Sequence, residues 1–431
     1  MLVRPLACRA SASTSERGQP KPELVPHSVE LRTYQPSVTC RPQPPFPGER
    51  EHVSRIRILV TLLLICVSTS FAQTTSSPTV SYVYLGGRTD TPHTINAFSL
   101  QANGSAHLVP GSPFSAAALT SSSPQTLLAV STNFVFASDT ENIATFRRSS
   151  NGALTFASSV IATPNVATID TLTLDRTASN LYAGGGRFTD GTYFVFDKGT
   201  RGQLTAASQL SAQSDGELQF NHSNKFAYTT HHAFLNLPEV TGQHCSFEAY
   251  IRAADGTLNP FDPQLSPPVG VAASDFCPAS VASSALGYVA VAYRKVIDIF
   301  HGSGVHSIAV YRILTSGELQ LVSNFVTTLD AVLPITLKFD PSGTFLAAVG
   351  TQGIQLYKLS SGGMLTKSGS PHYALTHFRD VRWDHSNHVI TISFAAVYFF
   401  GLKNGQLVQT SPPINLGKFT GISDIRVVSL Q

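Results

Sequence analysis

Charged side chains recur just before short β-forming runs, or in the case of Arg88 just after one, and these residues have the clearest potential for chemistry. The set consists of Arg88, Asp170, Glu217, Asp275, Asp330, Arg379, Asp380 and Asp424. If the fold gathers them around one axis, the carboxylates could hold a cation, and the arginines could bind a polar or anionic ligand. The alternative is that they are hydrated strand ends that only keep a central channel wet.

Histidine forms a second group of candidates, concentrated in two polar stretches. The residues are His231, His232, His244, His301 and His306. Because histidine titrates near neutral pH and binds metals, the group could supply an acid–base catalyst or metal ligands. The spacing matches no two-ligand motif such as HExxH, so polar surface residues are the alternative.

Cysteine usage depends on where the chain resides. Of five cysteines, only Cys245 and Cys277 follow residue 72. In an exported protein we expect them to form a disulfide, which closes a loop of about 30 residues and contributes about 3 kcal/mol. Two free thiols or a metal pair are the alternatives, although no Cys-x-x-Cys and no four-ligand set supports a zinc site.

The first 72 residues contain an export pattern. Residues 1–52 lack apolar periodicity and include a proline-rich stretch, so we expect disorder. Arg55 and Arg57 precede the apolar run 58–67 and a small-x-small site at 70–72. This order predicts a secretory signal peptide over 53–72, cleavage near Ala72 and a secreted or periplasmic mature chain, 73–431. A buried strand or short core helix is the alternative, and an internal signal suggests that translation begins near Val53.

The mature chain repeats one unit seven times. Each copy has a strand aromatic, a turn and a glycine, with six residues from aromatic to glycine in six copies and five in the last. The aromatics are Phe98, Phe146, Phe196, Tyr250, Tyr311, Tyr357 and Phe400, and we expect them to pack between the units. The glycines are Gly104, Gly152, Gly202, Gly256, Gly317, Gly363 and Gly405. A period of about 50 residues made of short strands predicts a β-propeller.

The strands around each repeat define the architecture. Runs such as 337–343 end in Asp or Asn turns, and a further β-rich run follows each of them. Each repeat therefore has four short strands, A to D. Residues 424–428 look like an A strand without a B strand, and we expect them to pair with residues 82–84. The predicted fold is all-β: a seven-bladed propeller of four-stranded antiparallel blades, closed by pairing the C-terminal strand into the first blade.

Loop lengths predict which face carries a site. The A–B and C–D turns are short, whereas the stretches 231–244, 260–278 and 294–307 appear as long loops on the other face. Function tends to collect in variable loops on a rigid scaffold. We therefore place the site at this mouth of the channel, with Arg294 added to the candidates.

Three segments resemble those of the 6-phosphogluconolactonase-like lactonase propellers. They are the Tyr-Val-Tyr strand 82–84, the Pro-Gly-Ser-Pro-Phe segment 110–114 and the run 337–343. The resemblance covers residues 79–430 and implies seven blades, a site at the channel mouth and lactone-ring hydrolysis by His, Arg and acidic residues. The family's His-Pro-His-like segment is missing, so no catalytic residue is carried over.

Two functions follow. The first is a non-catalytic module that binds a glycan, a small molecule or a partner protein through the long-loop face, with ligand-binding candidates Arg88, Asp170, His231, Arg294, Asp380 and Asp424. The alternative is a lactone hydrolase in which Glu217 or His232 activates water while Arg88, Arg294 and Arg379 hold the substrate anion.

The sequence also bears on cofactors and partners. There is no phosphate-binding loop, strand-placed dinucleotide motif or nucleophile elbow, so we expect no cofactor beyond a possible channel-bound cation. With 29 basic and 26 acidic residues, the net charge of +3 gives no nucleic-acid footprint. We expect a monomer without a transmembrane segment in the mature chain.

Overall fold

The computed structural model describes most of the chain after residue 76. The described ranges are 77–87, 93–121, 125–162, 168–187, 190–212, 216–237, 240–266, 276–295, 306–327, 334–373, 377–416 and 422–430. The chain divides into two units, Met1–Thr74 and Thr75–Gln431, and all described residues lie in the second. The predicted signal segment therefore lies outside them. Within these ranges, no helix has the length and hydropathy needed to cross a bilayer.

Seven antiparallel sheets make up the described fold. Blades 1 to 3 contain β1 (Thr79–Gly87), β2 (Thr94–Gln101), β3 (Ala106–Leu108), β4 (Phe114–Ser115), β5 (Leu127–Val130), β6 (Phe134–Ser138), β7 (Asn142–Arg148), β8 (Leu154–Ile161), β9 (Thr168–Leu174), β10 (Asn180–Arg187), β11 (Asp190–Lys198) and β12 (Leu204–Ala212). Blades 4 and 5 contain β13 (Gln219–Phe220), β14 (Phe226–Leu237), β15 (Val240–Arg252), β16 (Leu258–Phe261), β17 (Phe276–Ser283), β18 (Tyr288–Lys295), β19 (His306–Ile313) and β20 (Leu319–Thr327). Blades 6 and 7 contain β21 (Pro334–Phe339), β22 (Phe345–Gly350), β23 (Gly353–Leu359), β24 (Leu365–Tyr373), β25 (Asp380–Trp383), β26 (His388–Ile392), β27 (Ala396–Lys403), β28 (Gln406–Gln409) and β29 (Ile414–Asn415), and the chain ends in β30 (Ile422–Ser429).

The sheets form the blades of a seven-bladed propeller. Each blade has a row of four antiparallel strands, and the short strands β4 and β29 add to blades 1 and 7. The innermost strand is the first of its blade in chain order, except in blade 1, where it is β30. Inner strands of neighbouring blades contact one another: β5 contacts β30 and β9, and β25 contacts β21 and β30. The predicted fold class is confirmed.

Blade 1 is built from both ends of the described chain. β30 pairs antiparallel with β1, so that Tyr82 lies opposite Val428 and Tyr84 opposite Arg426. The Leu430 N–H then donates a hydrogen bond to the Val80 carbonyl, at 2.7 Å. The predicted closure by the C-terminal strand is confirmed, and it covers the β1 edge that would otherwise be unpaired.

The repeated glycine joins neighbouring blades. All seven glycines have positive φ, for example +84° at Gly152, which a side chain would strain. A Cβ at Gly152 would lie 2.4 Å from the Tyr82 ring. Because glycine has no side chain, the Tyr82 ring of blade 1 can pack against this turn of blade 2. Gly202 likewise leaves room for the ring of Phe134, which belongs to the preceding blade. The glycine therefore permits both the turn and the contact between blades.

The repeated aromatics are core residues, as predicted. Each of the seven is at most 2 % exposed. They belong to the apolar clusters that fill the spaces between blades: Phe196 packs with residues of blades 2 and 3, and Tyr311 with residues of blades 4 and 5. Their burial explains why the repeat retains an aromatic at this position.

Acidic or amide turns follow several inner strands, as predicted. In blade 6, Asp340 Oδ1 accepts a hydrogen bond from the Phe345 N–H at 2.7 Å. In blade 3, Asp175 Oδ1 accepts one from Ser179, and in blade 4, Asn221 Oδ1 accepts one from Phe226. These side chains accept hydrogen bonds from N–H groups in the turns, which have no partner in a neighbouring strand.

The predicted loop over residues 231–244 is wrong. β14 and β15 continue through it as a hairpin, with His231 opposite Ser246 and His232 opposite Cys245, and only residues 238–239 separate the two strands. The reason is local: Phe234, Leu235 and Val240 are residue types that favour extended backbone. Blade 4 therefore carries a long hairpin where a polar loop was expected.

Candidate functional site

The inner strands turn alternate side chains toward the channel. In β25, Asp380 and Arg382 face a channel cavity, whereas Val381 between them is fully buried. β30 repeats the pattern with Asp424 and Arg426 around buried Ile425. This is the period of two of a β-strand, which separates a polar channel face from an apolar blade face.

One cavity of about 280 Å³ collects the charged side chains. Its charged lining residues are Asp170, Glu217, Lys338, Arg379, Asp380, Arg382, Asp424 and Arg426. They come from blades 1, 3, 4, 6 and 7, or the segments just before those blades, so the ring must close before the set is complete. Four carboxylates and four cations make the lining formally neutral when all are ionised.

Glu217 lies between three cations. Its Oε2 is 2.7 Å from Lys338 Nζ, and its Oε1 is 3.1 Å from Arg382 Nη2 and 3.4 Å from Arg426 Nη2. The Glu217 side chain nevertheless keeps 29 % of its surface exposed. It is therefore both the centre of the ion network and accessible from the cavity.

The two aspartates pair with the arginines of their own strands. Asp380 Oδ2 is 2.9 Å from Arg382 Nη2, and Asp424 Oδ1 is 2.8 Å from Arg426 Nη1. Asp424 Oδ2 also accepts a hydrogen bond from the Leu128 N–H, at 2.7 Å. Asp424 therefore joins blade 1 to blade 2 as well as lining the cavity.

Backbone carbonyls fix the two arginines. Arg426 Nε donates to the Leu128 carbonyl at 2.7 Å, and its Nη2 donates to the Leu172 carbonyl at 3.1 Å. Arg382 Nε donates to the Ile425 carbonyl at 3.0 Å. Because these bonds hold the guanidinium groups before any ligand arrives, the positive charges in the cavity are preorganised.

Burial and charge move the carboxyl pKa values in opposite directions. Burial raises the pKa of Asp424 well above its usual range, although Arg382 acts against the shift. Burial also acts to raise the pKa of Glu217, but Arg382 and Lys338 together hold it below its usual value. Burial lowers the pKa of Lys338. One cavity thus contains a carboxyl group that favours its proton and another that favours its charge.

Two further charged groups lie at the edge of this cluster. Arg379 Nη1 donates to the Ile422 carbonyl at 3.4 Å, and its guanidinium lies 4.7 Å from the centre of the Phe394 ring. Asp170 is exposed and accepts a hydrogen bond from the Thr168 hydroxyl at 3.1 Å. Both belong to the rim of the cavity.

Five predicted site residues meet in this cavity: Asp170, Glu217, Arg379, Asp380 and Asp424. Arg88, Asp275 and Asp330 lie outside the described residues. The backbones of His231 and His232 belong to β14 and that of Arg294 to β18, while their side chains lie outside the described part.

Sequence reasoning missed three cations: Lys338, Arg382 and Arg426. A signal was present in two strands, because Arg382 and Arg426 each stand two residues after a predicted aspartate, on the same strand face. Lys338 follows Thr336 at the same spacing, without an acidic residue to mark it.

The metal and disulfide predictions can be compared only with the residues that the structure describes. Among the described residues, no group of three His, Cys, Asp or Glu side chains could hold a metal ion. Cys277 is fully buried in β17, and the backbone of Cys245 lies in β15, a strand that contacts β17. The Cys245 side chain lies outside the described residues, so the disulfide stays a prediction.

Comparison with known proteins finds likeness in structure. No protein-family model matches the chain. No curated protein sequence matches it either. Among solved structures, the periplasmic gluconolactonase PpgL of Pseudomonas aeruginosa is 14 % identical, with a TM-score of 0.60 over 81 % of this chain and 99 % of that one.

Two further structures agree. A provisionally assigned 6-phosphogluconolactonase of Bacteroides uniformis is 14 % identical, with a TM-score of 0.58 over 81 % of this chain and 100 % of that one. A Lactobacillus plantarum protein, also 14 % identical, has a TM-score of 0.56 over 81 % and 99 % of the two chains. At such identities the likeness establishes the fold. The chain therefore has the seven-bladed β-propeller fold of its 6-phosphogluconolactonase-like structural neighbours.

Proposed function

We propose that the channel cavity hydrolyses the lactone of a sugar acid. The observation that carries the proposal is the pair Glu217 and Asp424, which line one cavity, both contact Arg426 and have pKa values shifted apart. Carboxyl groups with separated pKa values suit an acid and a base. The likeness to a periplasmic gluconolactonase supports the choice of a sugar lactone.

The proposed roles follow from charge and position. The Glu217 carboxylate takes a proton from water as the water oxygen bonds to the lactone carbonyl carbon. Arg382 and Arg426 stabilise the negative charge that develops on the carbonyl oxygen. The ring C–O bond then breaks, and protonated Asp424 donates its proton to the departing ring oxygen. Lactone and water are thereby converted into one hydroxy acid.

Removing the proposed base is expected to abolish turnover. We expect Glu217→Gln to lower kcat for glucono-δ-lactone by about 10²–10⁴-fold, the usual contribution of a general base. The assay is proton release in a pH-stat near neutral pH, with the uncatalysed rate subtracted. Glu141→Gln is the control, because Glu141 is an exposed carboxylate in the β6–β7 turn. Wild-type turnover in Glu217→Gln would overturn the assignment of the base.

A non-catalytic binding module is the second candidate, and one observation favours it. Glu217, Asp380 and Asp424 are each held by at least one cation, so water must compete with ion pairs for the proposed base. Fluorescence of the single tryptophan can distinguish the two functions, because Trp383 Nε1 donates at 3.1 Å to the carbonyl of Lys338, whose side chain lines the cavity. Saturable quenching of its fluorescence by gluconate, without turnover of any lactone, would favour binding alone.

We also propose that the mature chain acts outside the cytoplasm with Cys245 and Cys277 joined. The signal-like segment 53–72 and the periplasmic neighbour support this placement. The intact mass of the exported protein is expected to match a chain beginning at Gln73, about 2 Da below the fully reduced mass. Two free thiols or a retained segment 53–72 would contradict it. Peptides from residues 1–52 in a whole-cell digest would contradict the downstream start.

A further inference from the structure

Phe394 is an exposed aromatic at the mouth of the channel. It lies between β26 and β27, and 52 % of its surface is exposed. Its carbonyl accepts a hydrogen bond from the Ile422 N–H at 3.2 Å, which places it beside the start of β30. Among the described residues, the other exposed large apolar side chains lie on outer strands or in turns of the opposite face; they are Leu108, Phe156, Ile161, Leu286, Leu314, Met364 and Val408. Phe394 therefore differs from them in its position.

Arg379 connects Phe394 to the cavity. Its guanidinium lies 4.7 Å from the centre of the Phe394 ring, and the Arg379 side chain also lines the cavity. A guanidinium at this distance from a ring is attracted to the π-electrons, which orients both groups. Together they present a planar apolar surface with hydrogen-bond donors at its edge. Sugar rings bind to such a combination, since they carry an apolar C–H face and polar hydroxyl edges.

The cavity is too small to hold a long ligand. Its volume of about 280 Å³ is slightly below the usual range of ligand pockets, about 300–1,000 Å³. It has room for one sugar-sized ring among the eight charged groups. A larger ligand must extend outward across the rim, where Arg379 and Phe394 lie.

We propose that Phe394 and Arg379 form an outer subsite for a second sugar ring, linked to the ring in the cavity. The ligand class is then a glycosylated sugar acid or its lactone. The inference rests on the proposed function in assuming that a sugar acid occupies the cavity. The outer ring stacks its C–H face on Phe394, while Arg379 donates hydrogen bonds to its hydroxyl groups.

The test compares two ligands that differ by one ring. Gluconate can occupy the cavity alone, whereas cellobionate carries an additional glucose that can reach the rim. Calorimetric titration of the wild type is expected to show about fivefold tighter binding of cellobionate, the size of a typical aromatic contact. Phe394→Ala is expected to bring the two affinities to equality, and Phe394→Tyr to keep the difference.

Phe156→Ala is the matched control, because Phe156 is also 52 % exposed but lies on the outer strand β8. It is expected to keep the full difference. Equal affinities in the wild type, or an unchanged difference in Phe394→Ala, would overturn the subsite. Absence of lactone turnover with the cellobionate preference retained would instead count against hydrolysis and leave the subsite standing.

Discussion

Deleting residues 422–431 is expected to unfold the ring. The deletion removes β30, which pairs with β1 from Ser81 to Gly87 and packs Ile425 and Val428 into the core. It also removes Arg426, whose guanidinium bonds to the carbonyls of Leu128 and Leu172 in the next two inner strands. The β1 edge would be left open. We expect a loss of more than about 5 kcal/mol, which is comparable to the whole stability of many domains.

Thermal unfolding followed by circular dichroism measures this effect. The truncated chain is expected to lack a cooperative transition, or to melt more than about 10 °C lower. Removing residue 431 alone is the control for a shortened C-terminus. A synthetic peptide with the sequence of residues 422–430, added in trans, is expected to restore the transition, whereas a scrambled peptide is not. A truncated chain with the wild-type melting temperature would refute closure as a source of stability.

The fold could be predicted because its repeated signals have local causes. Gly152 must adopt positive φ and contact the Tyr82 ring, so no other residue serves there without strain. Phe146, six residues earlier, is buried between blades. Such constraints recur in every blade, which makes a period of about 50 residues readable from one sequence. The unpaired strand at the C-terminus then predicted the closure.

The site was predicted only in part, for a physical reason. Asp380 marks the start of an inner strand, and its position was recognisable. The strand around Lys338, however, alternates polar and apolar residues in the same way as any strand with one face in water. A hydrated channel and bulk water both accommodate a charged side chain, so this pattern does not show which of the two Lys338 faces. Only the ring geometry shows that Lys338 faces Glu217, 121 positions away in the chain. Convergence of this kind depends on closure of the whole ring, which no local pattern encodes.

The hairpin of β14 and β15 was misread for a different reason. The extra length of this connection, which contains several polar residues, suggested a long loop, yet the backbone pairs from Phe226 through Leu237 without a break in register. Polar residues are compatible with a strand that extends beyond the apolar part of a blade, since neither face needs to be hydrophobic there. Polarity alone therefore does not separate such a strand from a loop.

The two carboxyl-to-amide substitutions in the cavity are expected to have unequal effects on stability at neutral pH. Glu217→Gln leaves Lys338 and Arg382 without the carboxylate that both contact. Removing one partner of a buried ion pair costs about 3–5 kcal/mol, but the Glu217 side chain is 29 % exposed, so we expect a smaller loss, of about 2 kcal/mol, at neutral pH. Asp424→Asn instead imitates the protonated group that burial favours, so we expect it to lose less stability at neutral pH than Glu217→Gln does.

The stabilities of the two variants, each relative to the wild type, are expected to change in opposite directions with pH. The pKa of Glu217 is lowered on folding, so its contribution is present above its ordinary value of 4.5 and is lost as the pH falls through the folded-state pKa. The deficit of Glu217→Gln therefore narrows in acid. The pKa of Asp424 is raised on folding, so its contribution is complete below its ordinary value of 3.8 and is lost as the pH rises through the folded-state pKa. Asp424→Asn therefore gains relative to the wild type as the pH rises.

Urea unfolding at a series of pH values from about 2.5 to 8 measures both slopes, because the Glu217 slope lies below its ordinary pKa and the Asp424 slope above its own. The Lys338→Met substitution, added to Glu217→Gln, is the matched test of pairing, because it removes the ammonium group that Glu217 would have neutralised. We expect the double variant to recover part of the loss, as a double-mutant cycle of a buried pair requires. Parallel slopes for the two single variants would show that the cavity does not separate the two carboxyl groups. The acid and base assigned to lactone hydrolysis would then lose their physical basis, since that chemistry needs Asp424 protonated and Glu217 charged at one pH.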